Sequence, residues 1–318
     1  MFYQDAEKFI NGMFHSDTLD KRSSLDIPKL VGQKLVADNA AKDVDYFGHR
    51  EGVVHSSQLY GCLRGTLHEM LGTAPDLEDE QSMMRKLGIF KAGNLFEDFI
   101  VTALGERVIY AQREYRYKYK GLTLVGRSDY TIDDAGIIRL GENKSVNSDA
   151  FWYREREGVL VQWHNQIQLN IYMWLERELD VYVDAKGNIV LTNEPTPDLT
   201  PAPQHKLTSP EGVFSYISKD DCTIVGTPVK FNPKVIEEIV LPALSVIAEG
   251  YMRRDPNIAP CPDLAVWNES KGQFQQNWLA KYCKYHTKCA GAGWVLEATE
   301  QVKTKNKENK AAFAKSLQ

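Results

Sequence analysis

The sequence predicts an α/β fold in which a small mixed β-sheet is flanked by helices. Apolar residues recur at helical spacing on both sides of a central stretch whose period changes to two, in RVIYAQREYRYKYKG and LTLVGRSDYTI. An Asp-Asp-Ala-Gly turn signal at 133–136 then separates the strand-like runs. The chain has 318 residues, 43% hydrophobic and 25% charged. That composition excludes wholesale disorder, a collagen repeat and a disulfide-framework miniprotein.

Residues 1–55 are polar and mixed and read as an N-terminal extension. From Ser56, the run SSQLYGCLRGTLHEMLG sets Leu59, Leu63, Leu67 and Met70 at helical spacing, with Ser57 placed to cap the helix and Cys62 inside it. Residues 76–82 are acidic and loop-like; Met83, Leu87, Leu95, Phe96, Phe99 and Ile100 then predict one or two helices ending near Gly105. Three antiparallel strands follow. Residues 159–180 return to helical spacing through Leu160, Ile167, Ile171, Trp174 and Leu175. Residues 185–215 read as a loop region with one strand at NIVLT, and CTIVGTPVKF as a further strand. KVIEEIVLPALSVIAEGYMRR reads as a helix kinked at Pro242. The core therefore spans 56–260, a cysteine-bearing segment 261–295, and a Lys-rich tail 296–318 that is frayed or disordered.

Counting 38 Lys+Arg against 43 Asp+Glu leaves a net charge of −5, so any hold on nucleic acid must be local. The opening MFYQDAEKFI carries acids where a signal peptide has a basic flank, and no apolar run approaches the ~20 residues that span a bilayer. The expectation is a cytoplasmic protein with no membrane partner. Five cysteines without a secretory signal read as thiols or metal ligands rather than disulfides, with Cys222 a buried strand thiol. No G-x-x-x-x-G-K-[ST], G-x-S-x-G or H-E-x-x-H occurs, which argues against a helicase motor, a serine hydrolase or a zincin.

Asp129 closes one strand, and Glu142-Asn143-Lys144 lies on the next. Alternation puts Glu142 and Lys144 on one face and Asn143 on the other. Two converging carboxylates make a hard oxygen site for Mg2+ or Mn2+. A nearby ammonium orients a water and offsets charge developing on a phosphate, so the set can hydrolyse a phosphodiester. An E-x-K triplet alone also fits an exposed cross-strand charge pair. On the following helix His164, Gln168 and Tyr172 recur every four residues and share a face. Arg113, Arg116, Lys118 and Lys120 alternate with Tyr115, Tyr117 and Tyr119, which gives a basic and an aromatic face for single-stranded DNA, or a solvated edge strand over a tyrosine core.

Taken in order, these motifs resemble the PD-(D/E)XK nuclease superfamily, specifically its RecB-like branch. Gly126-Arg127-Ser128-Asp129 is similar to G-x-x-D, Glu142-Asn143-Lys144 to E-x-K, and Gln168 to Tyr172 to Q-x-x-x-Y. KAGNLFED supplies Gly93 but has Phe96 where a His is common, which passes the ligand role to Glu97. The resemblance implies a restriction-endonuclease-like core with the metal held by Glu97, Asp129, Glu142 and the carbonyl of Asn143. Lys144 would position the water, supported by Gln168 and Tyr172.

Ser57-x-Leu59-x-x-Cys62-x-Arg64 resembles the first-cysteine segment of the iron-sulfur members, among them CRISPR-associated RecB-like nucleases and phage exonucleases, and Cys283-x5-Cys289 resembles their final pair. The usual C-x-x-C step would fall at Ala280, and Cys261 is the substitute. The resemblance thus implies a 4Fe-4S cluster, or zinc, on Cys62, Cys261, Cys283 and Cys289, clamping the two ends of the chain. The activity implied is a Mg2+- or Mn2+-dependent exonuclease on single-stranded or end-accessible DNA, in recombination, replication or CRISPR adaptation within a bacterial or phage-infected cell. A separate helicase, recombinase or adaptation protein is its partner, and Arg64, Arg113, Arg116, Lys118 and Arg127 are its DNA contacts. The alternative, motivated by Phe96 and Ala280, is a catalytically weak DNA-end-binding subunit of a larger complex.

Overall fold

The structure, a computed structural model, describes residues 33–38, 51–76, 80–146, 163–203, 207–268, 273–277, 283–290 and 294–316. The chain divides into two compact units, Met1–Gly48 with Glu78–Phe90, and His49–Leu77 with Lys91–Gln318. In the first, residues 33–38 and 80–90 are helical. The second holds the sheet and every candidate site residue.

The elements, of which α2 begins in the first unit and the rest lie in the second, are β1 (Val53–His55), α1 (Leu63–Met70), α2 (Glu80–Leu104), β2 (Val108–Tyr119), β3 (Leu122–Asp134), β4 (Ile137–Val146), α3 (Trp163–Glu178), β5 (Asp180–Val183), β6 (Ile189–Thr192), β7 (Thr200–Pro201), β8 (Glu211–Ser218), β9 (Ile224–Lys230), α4 (Leu241–Arg253), β10 (Ala265–Asn268), β11 (Gln273–Gln276), α5 (His286–Ala290) and α6 (Trp294–Ser316). The architecture is mixed α/β, with helices flanking a mixed sheet, and is consistent with a restriction-endonuclease-like core. The sheet is not small, however. Among the described residues it has nine strands in the order β7-β5-β6-β2-β3-β4-β8-β9, with β1 added on β3. One strand that sequence periodicity misses is β8, second from one edge, which begins inside the 185–215 stretch expected to be a loop region. Phe214 to Ser218 are all buried, so the polar alternation that marks a half-exposed strand is absent there.

The expected antiparallel trio β2, β3 and β4 forms, and one edge of β3 is divided. Along its first edge β3 pairs with β2 from Leu122 to Ile132. Its second edge is shared: β1 runs parallel to Thr123–Val125, whereas β4 runs antiparallel to Tyr130–Asp134. Residues 126–129, the Gly-Arg-Ser-Asp motif, occupy the fork between them. Asp129 therefore lies inside a long strand rather than at its end. β1 comes from the stretch expected to be an extension, and its Val54 is fully buried.

α3 is buried nearly all round, through Ile167, Leu169, Ile171, Met173 and Leu175. Asn170 Oδ1 accepts from the Asn232 N–H at 2.7 Å and fixes the start of the next helical stretch. There a π-helical turn, Ile236–Val240, absorbs the N–H that Pro242 lacks before α4 begins. The tail expected to be frayed is helical as α6, and Asn306 brackets the backbone N–H and C=O of Phe274 on β11. Cys222, expected as a buried strand thiol, is exposed on the β8–β9 turn with φ of 59°. Among the described residues no helix is long and apolar enough to cross a membrane.

Candidate active site

The fork in the sheet assembles the site. Where β4 departs from β3, the Asp129 side chain continues the pairing: its Oδ2 accepts from the Asn143 N–H at 2.6 Å. Glu142 and Lys144 project from one face of β4, as strand alternation requires, and Lys144 Nζ lies 2.9 Å from Glu142 Oε1. From α3, Gln168 Nε2 donates to the same oxygen at 2.7 Å and to Tyr172 Oη at 3.1 Å. The five residues expected to be catalytic are thus brought together. His164, the third member of the helical row, instead packs its ring near Tyr60 and Trp163.

Glycine in the G-x-x-D motif has a steric cause. A Cβ at Gly126 would sit 2.6 Å from the Tyr172 ring and 3.2 Å from Ser56 Oγ. The tyrosine of one motif therefore lies on the glycine of another, 46 residues apart in sequence. Gly126→Ala is expected to destabilise the protein by about 1–3 kcal/mol through overpacking, measured by chemical denaturation, with the Tyr172 ring displaced.

The acids resist ionisation. Burial, and then the charge of Asp129, push Glu142 up to about 8. Burial, and then Asp129, push Glu97 on α2 up to about 7, which places Glu97 within electrostatic reach of the pair. Asp129 is itself raised by burial. For Lys144 burial pulls downward, but Glu142 and Asp129 outweigh it and hold the ammonium protonated well above its ordinary range. Lys144 is a cation at neutral pH, not a base. Glu142 Oε1 has two donors, whereas its Oε2 is buried with no hydrogen-bond partner. A crowded carboxylate set only partly compensated by Lys144, with one oxygen lacking a partner, suits a divalent cation. Among the described residues no group of three His, Cys, Asp or Glu side chains is drawn to ligating distance, so such an ion would need further oxygens from backbone, water or phosphate. The Asn143 side chain lies on the opposite face from Glu142, buried and without hydrogen-bond partners, which leaves its backbone carbonyl as its only route to a metal.

The expected DNA contacts separate. Arg113 is a correction: it is 1% exposed and its Nη1 meets Glu176 Oε2 at 3.0 Å, with neither side chain reaching solvent. The reason is parity, because position 113 shares its face with Tyr115 rather than with Arg116 and Lys118. Tyr115 Oη donates to Glu176 Oε1 at 2.6 Å, lies 2.9 Å from Ser128 Oγ, and stacks on Tyr172 with centroids 5.3 Å apart. Nor is β2 an edge strand, since β3 and β6 flank it. Arg64 Nε donates to the Ala259 carbonyl at 2.7 Å and so ties α1 to the approach to Cys261. Arg116 pairs with Glu114 at the surface, Lys118 is exposed, and Arg127 is exposed close enough to lower Glu97 and Asp129.

No protein family model matches the chain. No curated protein matches it either. Among solved structures it is similar to the crystal structure of SSO0001, at 16% identity and a TM-score of 0.45, over 83% of this chain and 96% of that one. It is also similar to an alkaline exonuclease (LHK-Exo) from Laribacter hongkongensis, at 13% identity and a TM-score of 0.39, over 66% of this chain and 95% of that one.

The cysteines form a second locus. Cys62 is the N-cap of α1, not an interior residue, and its Sγ accepts from the Gly65 N–H at 3.3 Å. Ser57, expected to cap, instead lies in a short 3-10 turn. A Cβ at Gly65 would lie 3.2 Å from Cys283 Sγ and 3.5 Å from Cys62 Sγ, so both sulfurs sit over that glycine. A hydrogen bond from Cys283, followed by the backbone donors of Gly65 and Arg64, lowers Cys62 to about 6 against the opposing effect of burial. Burial, and then Cys261 and Cys62 beside it, push Cys289 up to about 11. Asp76 holds the Cys283 segment through the N–H and hydroxyl of Thr287.

Two contributors were not legible in the sequence. Ser56 Oγ lies 2.9 Å from Tyr172 Oη, and Tyr60 Oη donates to Gln168 Oε1 at 3.3 Å. Each reaches more than a hundred residues along the chain, and no local pattern marks such a partner.

Proposed function

We propose that this protein is a metal-dependent DNA nuclease, an exonuclease on single-stranded or end-accessible DNA. The observation that carries this is the Asp129–Glu142–Lys144 set, with Glu142 buried and the other two partly buried, held by Gln168 and Tyr172 at the fork of the sheet, with Glu142 Oε2 left without a hydrogen-bond partner. Asp129 and Glu142, with Glu97 opposite and the Asn143 carbonyl, would hold Mg2+ or Mn2+. When bound, such an ion supplies Lewis-acid charge to a phosphate oxygen and lowers the pKa of water. Water would lose a proton to solvent as its oxygen bonds to phosphorus, and the bond from phosphorus to the leaving oxygen would break, that oxygen taking a proton from solvent to leave as a hydroxyl. Lys144 faces the phosphate as a fixed cation, while Gln168 keeps Glu142 from rotating away. Arg127, Arg116 and Lys118 are the cations that remain to guide a DNA strand.

Cys62, Cys261, Cys283 and Cys289 are proposed to hold a 4Fe-4S cluster, with zinc as the alternative on the same thiolates. Two pairings support this reading, Cys62 with Cys283 over Gly65 and Cys261 with Cys289, while among the described residues no three of the four are drawn to ligating distance, so the cluster would draw the two pairs together. Its role is to join the two ends of the chain, not to enter the reaction.

Incubation with end-labelled single-stranded DNA and Mn2+ tests the activity. Stepwise loss of label that EDTA stops is the expected result; intact but bound DNA in every condition would favour the end-binding subunit instead. A pH dependence follows from the acids. Because Glu142 and Glu97 are raised in the folded state, their contribution to stability is complete below the ordinary glutamate range and is lost as pH rises toward about 8. The metal-free protein should therefore melt at lower temperature at pH 8 than at pH 6, and Mn2+ should raise the melting temperature more at pH 8. A metal-induced shift that is larger at pH 6 would contradict this.

A further inference from the structure

The segment from Ser56 to Cys62 is a strap between the two loci, one end against the catalytic helix and the other in the cysteine group. Ser56 Oγ meets Tyr172 Oη at 2.9 Å, and Tyr60 Oη donates to Gln168 Oε1 at 3.3 Å. Two residues later Cys62 begins α1 beside Cys283. The strap is itself anchored: β1 pairs into the sheet just before it, and Gln58 closes a ring with the His55 N–H at 2.8 Å.

Gln168 is the part of the site least able to hold itself. Its amide has two ends, and an unconstrained amide turns about its last bond. The Nε2 end must face Glu142 Oε1 for the carboxylate to be held. The Oε1 end is fixed by Tyr60, whose hydroxyl proton can be accepted only by the oxygen of the amide. Tyr60 thereby selects the amide orientation that restrains Glu142, and Lys144 and Glu142 both lie close enough to act on its hydroxyl.

We propose that Tyr60 is a positioning residue of the active site, orienting the Gln168 amide so that Glu142 is held toward the metal, and that the strap carrying it makes this depend on the seating of Cys62. This rests on the nuclease proposal, and the test separates the two. In the full-length protein, Tyr60→Phe removes the hydroxyl and keeps the ring. Expected are a three- to tenfold fall in kcat, the worth of about one hydrogen bond, with KM and melting temperature unchanged, and no further fall when Tyr60→Phe is added to Gln168→Ala. Mn2+ binding followed by electron paramagnetic resonance should weaken by a similar factor in Tyr60→Phe, and that readout needs no cutting. Unchanged kcat and Mn2+ affinity in Tyr60→Phe, a lowered melting temperature that accounts for the loss, or an equal loss in the Gln168→Ala background would each overturn the proposal. If the parent binds Mn2+ but cuts no DNA, the nuclease proposal fails and the Mn2+ comparison alone decides the role of Tyr60. A parent that neither cuts nor binds Mn2+ overturns both.

Discussion

Replacing Lys144 with alanine is expected to lower the rate of DNA cutting by about 10²–10³-fold, the worth of one preorganised charge aimed at developing negative charge, while the protein stays folded. Lys144 is about one-third exposed, at 35% of its side chain, so its removal creates no buried cavity. Nor does it strand a charge in the metal-free protein, because Glu142, raised by burial to about 8, is mostly protonated at neutral pH and loss of Lys144 holds that proton more firmly. The loss should therefore appear in single-turnover rates and not in the melting temperature. Lys144→Arg keeps the charge but spreads it over a larger, planar group, and should recover only part of the rate. A Lys144→Ala protein that cuts as fast as its parent would remove Lys144 from the chemistry.

Arg113→Ala carries the largest expected cost in stability, about 3–5 kcal/mol, because it leaves a buried carboxylate without its partner. Neither Arg113 nor Glu176 reaches solvent. Glu176 also accepts the Tyr115 hydroxyl, and Tyr115 supports the ring of Tyr172, so site geometry should suffer along with stability. The pair is not ideally satisfied, since Arg113 Nε and Nη2 are buried without hydrogen-bond partners. Replacing both members with methionine should therefore recover most of the loss, as it removes both charges from the interior. Urea denaturation of the single and double variants measures this. A stable Arg113→Ala protein whose defect is confined to DNA affinity would restore Arg113 to the DNA surface and contradict its burial.

The site was legible where chemistry follows a local period. Glu142 and Lys144 are two apart on a strand, Gln168 and Tyr172 four apart on a helix, and those spacings fix shared faces before any tertiary contact is known. Asp129 was legible as a participant but not in its setting, because the fork depends on β1 arriving from 70 residues upstream to take part of one edge of β3. Arg113 was misplaced by grouping it with nearby cations although its position shares parity with the tyrosines. β8 was lost because burial on both faces erases alternation, and Ser56 and Tyr60 because hydrogen bonds across more than a hundred residues leave no trace in neighbouring sequence.

The divided edge of β3 also bears on the order in which the protein acquires activity. β2, β3 and β4 are consecutive, and their pairing joins residues close in sequence, so this meander closes early and cheaply. The parallel strand β1 and the Ser56–Tyr172 contact, 116 residues apart, must return across the intervening helix and the whole meander. Docking of the strap is thus expected to be among the last events of folding. A chain released half-finished would carry its acids and its lysine on a formed sheet yet lack the hydroxyls that set their orientation, so the arrangement of the site is completed only when the fold is complete.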